Sequence, residues 1–290
     1  MNTVDYSYSP RPGADGSRPA GVTLIELLVV TAVIAILASL VLPGLSRAKA
    51  SAKSTKCKSN LRQIGLGLGI YLGDFAKYPL WDSPLEEKFW FDYLRPCTGS
   101  DWDGLLFQCP ASQERFPWRG VTRIGKNGIL ERGHPQGDYG YNNHGASVSG
   151  QLGPSATQHI GELGLGGTVF NLQPFQSMPL AESAVRVPSD MIAFGDALQR
   201  ISNGRIVRLR AADLGLGGWL NAPEFYWREV ENRAKELHRG RANVSFCDGH
   251  AESSKFSNLF GMNDVFLRRW NIDNQPHRDR FLPITFGSNP

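Results

Sequence analysis

The clearest pattern in this chain of 290 residues is a nearly uninterrupted apolar run close to its N-terminus. From Val22 to Leu42 the run contains a single charged residue, Glu26. A helix of about 20 apolar residues, rising about 1.5 Å per residue, spans the ~30 Å hydrocarbon core of a bilayer. The run therefore predicts one transmembrane helix over residues 22–42.

The segment before this run is polar and rich in Pro and Gly, and it has the composition of a disordered tail. A secretory signal peptide fits it poorly, because the apolar run that follows is too long and no A-x-A cleavage site comes after it. Its two arginines, Arg11 and Arg18, are balanced by Asp5 and Asp15.

Beyond Pro43 the helical pattern continues with a stripe at spacings of three and four residues, which is typical of one face of an amphipathic helix. The stripe consists of Ala50, Ser54, Cys57, Leu61, Ile64, Leu68 and Tyr71. Glycines near its end weaken the helix by about 1 kcal/mol each relative to alanine. We expect the helix to end between Leu72 and Asp74.

Later segments predict a head that is α+β or mostly β. Short strand patterns occur at 185–187, 190–194, 205–209 and 242–246, the last followed by an Asp-Gly turn. A looser pattern at 224–238 is compatible with a helix.

Composition and charge exclude several classes of protein. With 41% hydrophobic and 10% aromatic residues the chain is not disordered, collagen-like or a coiled coil. A mean hydropathy of −0.28 excludes a polytopic membrane protein. The six basic residues of 47–62 form what we call the basic collar, and without them the net charge of +4 becomes −2. No broad basic surface therefore remains for nucleic acid. The basic collar consists of Arg47, Lys49, Lys53, Lys56, Lys58 and Arg62.

A specific motif, Ala-Gly-Val-Thr-Leu-Ile-Glu over residues 20–26, joins the polar N-terminal segment to the apolar run. It resembles the cleavage and methylation motif of type IV prepilins and type II secretion pseudopilins. The resemblance implies a peptidase cut between Gly21 and Val22, methylation of Val22, and pairing of Glu26 with a neighbouring subunit's N-terminus during filament assembly. The family usually has Phe where Val22 stands, and it often has a proline where Pro43 stands.

Glu26 is a candidate functional residue on physical grounds as well, since placing a carboxylate inside a transmembrane segment costs about 2.5–3.5 kcal/mol on insertion scales. The alternative to subunit pairing is that Glu26 lies close enough to the interface to reach water.

Further patches resemble a planctomycete and verrucomicrobial pseudopilin-like subfamily. They are the helix segment from Cys57 to Leu66, Phe-Gln-Cys-Pro at 107–110, Asp-Tyr-Gly-Tyr-Asn at 138–142, the segment 187–196, and His238 followed after nine residues by Asp248-Gly249. The resemblance implies a pilin-like α+β fold, in which a long N-terminal transmembrane and amphipathic helix packs on a mainly antiparallel β head. It divides the chain into a cleaved cytoplasmic leader (1–21), an N-terminal helix (22–73) and an extracytoplasmic head (74–290) that includes the H-x9-DG region 238–250.

Four cysteines allow one or two disulfides. Cys57 lies on the predicted buried stripe and Cys109 in an apolar, strand-like segment, so we expect these two to pair. Cys97 and Cys247 then form a second bridge or remain buried thiols. Cys-x-x-Cys spacing is absent, which argues against a structural zinc.

His238, Asp248 and His250 are open to three interpretations. Asp248-Gly249 makes a tight turn while His238 bonds a neighbouring strand, or the side chains bind calcium or another divalent ion, or they form a catalytic dyad. The structural role is the one we expect. A phosphate-loop-like segment at 120–127 ends in Asn where Ser or Thr would hold magnesium, and it predicts no nucleotide site.

These observations predict a structural filament subunit with no catalytic residues and no cofactor. Its expected partners are a prepilin peptidase and methyltransferase, other pilin-like subunits and the inner membrane, which it would cross once with the leader cytoplasmic and the head periplasmic or extracellular. The six basic residues after the span against two before it favour the opposite orientation. The alternative function is a membrane-anchored extracytoplasmic metal-dependent hydrolase or sugar-binding module that uses the prepilin sorting route.

Overall fold

The computed structural model describes residues 22–83, 88–101, 104–112, 122–124, 130–132, 138–143, 145, 163–170, 176–197, 199–202, 205–208, 238–259 and 263–278. The chain divides into two compact units, residues 1–48 and 49–290.

Four helices and twelve strands lie in the described part of the chain. The helices are α1 (Leu24–Phe75), α2 (Trp90–Thr98), α3 (Phe256–Leu259) and α4 (Asp264–Leu267). The strands are β1 (Asp82–Ser83), β2 (Lys88–Phe89), β3 (Thr122–Ile124), β4 (Leu130–Arg132), β5 (Tyr139–Tyr141), β6 (Thr168–Phe170), β7 (Gln176–Met178), β8 (Ile192–Asp196), β9 (Gln199–Ser202), β10 (Arg205–Arg208), β11 (Arg241–Phe246) and β12 (Ala251–Lys255).

Helix α1 is 52 residues long and continues through Pro43. It ends at Phe75, slightly beyond the expected stop, and two of its later glycines, Gly65 and Gly67, serve close packing. A Cβ on Gly65 would lie 2.4 Å from the Ser245 hydroxyl oxygen, and one on Gly67 would lie 2.6 Å from a methyl carbon of Thr98. Both contacts are shorter than side chains tolerate, so glycine lets this part of the helix approach β11 and α2.

A four-stranded antiparallel sheet in the order β12-β11-β8-β5 forms the centre of the head. Strand β8 is buried throughout, and all of β11 except its first residue is buried. The predicted α+β class, a long N-terminal helix with an antiparallel head, is confirmed.

The core of the head joins the later part of α1 to this sheet through aromatic side chains. Trp90 packs against Tyr141 and Phe194 with ring centroids 5.6 and 5.0 Å apart, and it meets Phe107 edge-on at 6.0 Å. From the predicted stripe, Cys57, Leu61, Ile64, Leu68 and Tyr71 are buried.

One predicted strand is wrong. Residues 185–187 follow a single 3₁₀ turn, Glu182–Ala184, and they pair with no strand of the described residues. Pro188 cannot donate a ladder hydrogen bond, and the amide of Asp190 closes a turn onto the carbonyl of Val187. The helix pattern at 224–238 lies almost wholly outside the described residues.

Candidate functional site

The N-terminal end of α1 is organised by a reciprocal hydrogen-bond pattern between Thr23 and Glu26. The backbone N–H and the hydroxyl of Thr23 donate to Oε2 of Glu26 at 2.8 and 2.9 Å, and the amide of Glu26 donates to the Thr23 hydroxyl at 3.3 Å. This arrangement is a capping box, which satisfies helix donors that have no partner inside the helix. The T-x-x-E spacing directly before an apolar run is the sequence signal for this cap.

The predicted cleavage position lies beside this cap. Gly21 is outside the described residues, while Val22 is 77% exposed and immediately precedes the cap residue Thr23. Cleavage before Val22 and its methylation stay predictions, as does subunit pairing through Glu26.

The first part of α1 presents apolar side chains on every side, with Val22–Leu42 exposed throughout. Among the described residues, α1 is the one helix that is long and apolar enough to cross a membrane. No residue in its most apolar stretch is buried in the structure. Its two internal hydroxyls are satisfied locally, since Thr31 donates to the carbonyl of Leu28 at 2.9 Å and Ser39 to that of Ile36 at 2.7 Å. No polar side chain between Thr31 and Leu42 therefore needs water, which suits a lipid environment.

The basic collar follows within the same helix. Lys53 is half-buried and the other five residues of the collar are exposed. Their spacing distributes positive charge around the helix just beyond the apolar segment, where lipid headgroups would lie if that segment crosses a membrane.

In the second unit, α1 is joined covalently to the head. Cys57 and Cys109 form a disulfide, with Cα atoms 5.1 Å apart and a separation of 52 positions in the sequence. Asn60, one turn further along α1 and buried, donates through Nδ2 to the carbonyls of Leu105 and Gln108 at 3.2 and 3.0 Å. The amide of Cys109 donates to Oδ2 of Asp138 at 2.9 Å, which ties the same segment to the residue preceding β5.

His238 lies beside this disulfide in a fully buried polar cluster. Its Nε2 is 3.4 Å from Sγ of Cys109 and 3.3 Å from Oδ2 of Asp196. That same oxygen accepts hydrogen bonds from the backbone and side-chain amides of Asn243 at 2.7 and 3.0 Å. Asp196 and Asn243 were not among the predicted site residues, although Asp196 belongs to one of the patches that carry the resemblance.

Asp248, Gly249 and His250 form the turn between β11 and β12. Gly249 has a φ of +86°, which favours glycine, and Nδ1 of His250 is 2.6 Å from Oδ1 of Asp248. The ring of His250 stacks on Phe246 with centroids 4.2 Å apart. Six strand residues separate this exposed turn from the segment of His238, about 20 Å of extended chain.

The structure therefore does not gather His238, Asp248 and His250 into one site. Among the described residues, the group of His, Cys, Asp or Glu side chains with ligand atoms mutually within 4.8 Å is Cys57, Cys109 and His238, and all three are buried. The H-x9-DG pattern thus marks the two ends of β11.

The remaining cysteines, Cys97 and Cys247, are free thiols, the first half-buried and the second buried. Burial raises the pKa of Cys247 to about 12, and it also raises the pKa of Cys97. Burial likewise holds the pKa values of Tyr78, Tyr139 and Tyr141 above their usual range. These groups stay neutral at physiological pH, as suits packing residues.

Comparison with known proteins gave one family-model match and matches to three relatives of the same name. The family model of the prokaryotic N-terminal methylation motif matches residues 16–42. The chain is 37% identical over 107 residues to the type II secretion system core protein G of Pseudomonas aeruginosa, covering 35% of this chain and 69% of that protein. It is 31% identical over 102 residues to the protein of that name from Escherichia coli, covering 35% of this chain and 68% of the relative.

For the protein of the same name from Pectobacterium carotovorum, the identity is 35% over 74 residues, covering 26% of this chain and 47% of the relative. The chain thus spans about half the length of this relative and just over two thirds of the other two. No solved structure gave a significant match.

Proposed function

The chain belongs to the family of the type II secretion system core protein G, the pseudopilins, and from this premise we propose that it is a structural subunit of a pilin-like filament. Its mature form begins at Val22, which is methylated after a prepilin peptidase cuts behind Gly21. The apolar part of α1 anchors the subunit in the inner membrane before the subunit joins other pilin-like subunits. No step requires a catalytic residue or a cofactor.

The observation that carries the proposal is the division of α1 into two differently solvated parts. The segment from Val22 to Leu42 leaves its apolar side chains uncovered, whereas Leu61, Ile64 and Leu68 are buried in the head. A soluble protein rarely exposes so long an apolar surface, and such a surface marks contact with lipid or with another protein. A subunit that moves from membrane to filament uses both kinds of contact.

Glu26 has two successive roles in this proposal. In the isolated chain it caps its own helix through Oε2. In the filament its carboxylate also pairs with the positively charged, methylated amine at Val22 of a neighbour. This pairing would offset the cost of placing a carboxylate in an apolar environment.

We place the leader in the cytoplasm and the head outside the inner membrane. The disulfide between Cys57 and Cys109 supports this orientation, since disulfides persist in oxidising compartments. The basic collar favours the opposite orientation by the positive-inside rule, and we give the processing motif more weight because its peptidase acts on the cytoplasmic side. Protease digestion of spheroplasts tests this: degradation of the head supports the proposal, and protection of the head in intact spheroplasts contradicts it.

The alternative, a membrane-anchored metal-dependent hydrolase or sugar-binding module, is not favoured. The relatives are secretion-system core proteins. His238 is buried, and the residues that would have completed a metal cleft, Asp248 and His250, lie at the other end of β11.

Intact-mass and N-terminal analysis of the membrane-extracted protein is the decisive experiment. In cells that contain a prepilin peptidase, we expect a chain that begins at Val22 and carries one added methyl group. Gly21→Val should leave the leader attached. The matched control is Gly44→Ala, at a helix position with no atom within 4 Å of the added carbon, and this variant should be processed normally. An uncut wild-type chain in such cells would refute the proposal.

Glu26→Gln tests assembly separately from processing. We expect normal cleavage and a filament fraction reduced at least tenfold in sheared-cell preparations, while the control Glu182→Gln, on the exposed surface of the head, assembles normally. Normal assembly of Glu26→Gln would remove the pairing role and leave only the helix cap.

A further inference from the structure

The buried cluster around His238 contains the donor atoms of a metal site that the disulfide blocks. Sγ of Cys57, Sγ of Cys109 and a ring nitrogen of His238 lie within 4.8 Å of one another. All three side chains are buried, and Cys57 comes from α1, Cys109 from the segment between α2 and β3, and His238 from the segment before β11.

We propose that reduction of the Cys57–Cys109 disulfide creates a tetrahedral binding site for Zn²⁺, in which the two thiolates and Nε2 of His238 are ligands. Two thiolates and an imidazole are a common zinc donor set. The oxidised and the metal-bound forms exclude each other, because the same two sulfur atoms are used in both.

The distances around His238 already match such a site. With Zn–S bonds of about 2.3 Å and Zn–N bonds of about 2.0–2.1 Å, tetrahedral geometry separates nitrogen and sulfur ligands by about 3.5 Å. The separation between Nε2 of His238 and Sγ of Cys109 is 3.4 Å. Breaking the S–S bond lets the two sulfur atoms separate to about 3.8 Å, the spacing of two sulfur ligands on one zinc ion.

The surroundings suit the charge and protonation that the metal requires. Nδ1 of His238 has no hydrogen-bond partner among the described residues and can carry the ring proton while Nε2 binds the metal. Oδ2 of Asp196 lies 3.3 Å from Nε2, close to the spacing of about 3.3 Å between nitrogen and oxygen ligands on one zinc ion. Asp196 nevertheless stands outside the group of ligand atoms that lie mutually within 4.8 Å, so the described side chains supply three ligands and the fourth position is left for a water molecule.

The chemistry balances with a phosphine as reductant. The phosphine supplies two electrons that break the S–S bond, takes oxygen from water to become a phosphine oxide, and leaves two thiols. Zn²⁺ then displaces the two thiol protons. A small-molecule disulfide supplied as oxidant takes the two electrons from the thiolates, so that it is reduced to two thiols with two protons from water, the S–S bond re-forms and Zn²⁺ is released.

The test uses the full-length chain in detergent, reduced with a phosphine and titrated with Co²⁺ as a spectroscopic substitute for zinc. We expect one equivalent to produce thiolate-to-cobalt charge-transfer bands and the intense visible bands of tetrahedral cobalt, both abolished by one equivalent of Zn²⁺. The oxidised chain should give no charge-transfer band. Cys57→Ser and Cys109→Ser should each lose most of the signal, while Cys97→Ser, which removes a free thiol outside the cluster, should retain it.

A second measurement needs no variant and covers the case in which a serine variant does not fold. In the reduced wild-type chain, one equivalent of Zn²⁺ should lower the number of thiols that react rapidly with a thiol reagent by two and slow disulfide re-formation at least tenfold. If the reduced chain loses its near-ultraviolet circular dichroism, zinc should restore it. An absent charge-transfer band, or thiol reactivity that zinc leaves unchanged, would overturn the proposal.

Discussion

The two parts of helix α1 form one continuous element but have opposite relations to their surroundings. In the first part, apolar side chains such as Ile25, Val33 and Leu40 are 50–80% exposed. In the later part, Leu61, Ile64 and Leu68 are fully buried against the head. The later part of the helix is thus covered by the head of the same chain, whereas the first part can be covered only by lipid or by another protein.

This difference shows that overall hydrophobicity and burial are separate properties of a helix. The more apolar part is the uncovered one, and the more polar part is locked in place by a disulfide, two side-chain hydrogen bonds from Asn60, and close packing at Gly65. A mutation should therefore change the stability of the head only when it lies on the buried face of the later part.

The largest expected effect is on the free energy of unfolding of the head in Leu61→Ala. Removing a fully buried leucine costs about 2–5 kcal/mol through lost burial and the cavity left behind. Guanidinium unfolding of the full chain in detergent, followed by near-ultraviolet circular dichroism, measures this change. Leu66→Ala, at a position 55% exposed on the same helix, should change the value by less than about 0.5 kcal/mol. Equal losses for the two variants would abolish the distinction between the helix faces.

The next effect comes from the covalent link between helix and head. Replacing Cys57 and Cys109 by serine should lower the free energy of unfolding by about 2–4 kcal/mol, because the unfolded chain regains the freedom that the crosslink removes. Cys97→Ser, which breaks no bond, serves as the control in the same denaturation assay. A double variant as stable as the wild type would show that packing alone holds the later part of α1.

A smaller loss is expected at the buried amide of α1. Asn60→Ala leaves the carbonyls of Leu105 and Gln108 without their side-chain donor, at a cost of about 1–3 kcal/mol. The control is Gln63→Ala, whose exposed side chain donates to Ser59 in its own helix. Indistinguishable unfolding midpoints for the two variants would remove Asn60 from the interactions that hold the head to α1.

The smallest expected effect is a pH dependence of stability that the head has and the apolar part of α1 lacks. The folded-state pKa of Cys247 is raised by burial to about 12, against 9.0 for an ordinary thiol. Between these values the unfolded state releases a proton that the folded state keeps, so the stability of the head falls as pH rises, by about 1.4 kcal/mol per pH unit. Unfolding curves at pH 9 and 10 test this slope, and Cys247→Ala should reduce it without abolishing it, because the buried phenols of Tyr78, Tyr139 and Tyr141 also keep their protons in the folded state. Helicity of the apolar part of α1, which has no such group, should stay constant across that range.

Much of this organisation was predictable from local pattern. The apolar run, the stripe from Cys57 to Tyr71 and the strand 242–246 each follow from periodicity, because a helix face and a strand face repeat at fixed spacings. The strand expected at 185–187 failed because Pro188 and the turn at Asp190 outweigh the β-propensity of two valines. Gly65 and Gly67 were expected to weaken the helix, and their packing role depends on partners far away in sequence.

The candidate site was predictable only in part, because some of its residues meet from distant positions in the sequence. The motif at Gly21, Val22 and Glu26 is contiguous and specific, whereas the cluster around His238 joins Asp196, Asn243 and Cys109 from separate segments. The H-x9-DG spacing left open whether His238, Asp248 and His250 converge, and the extended strand between them carries its two ends apart.

The disulfide near the middle of α1 also determines how mechanical force would travel through the subunit. A pull on the N-terminal end of the helix reaches Cys57 and passes through covalent bonds into the segment at Cys109, 52 residues further along the chain. The hydrogen bonds of the helix beyond Cys57 and the apolar contacts of Leu61 and Leu68 are thereby spared most of the tension. The head of a subunit that is pulled out of a bilayer by its helix would in this way stay folded while the force acts.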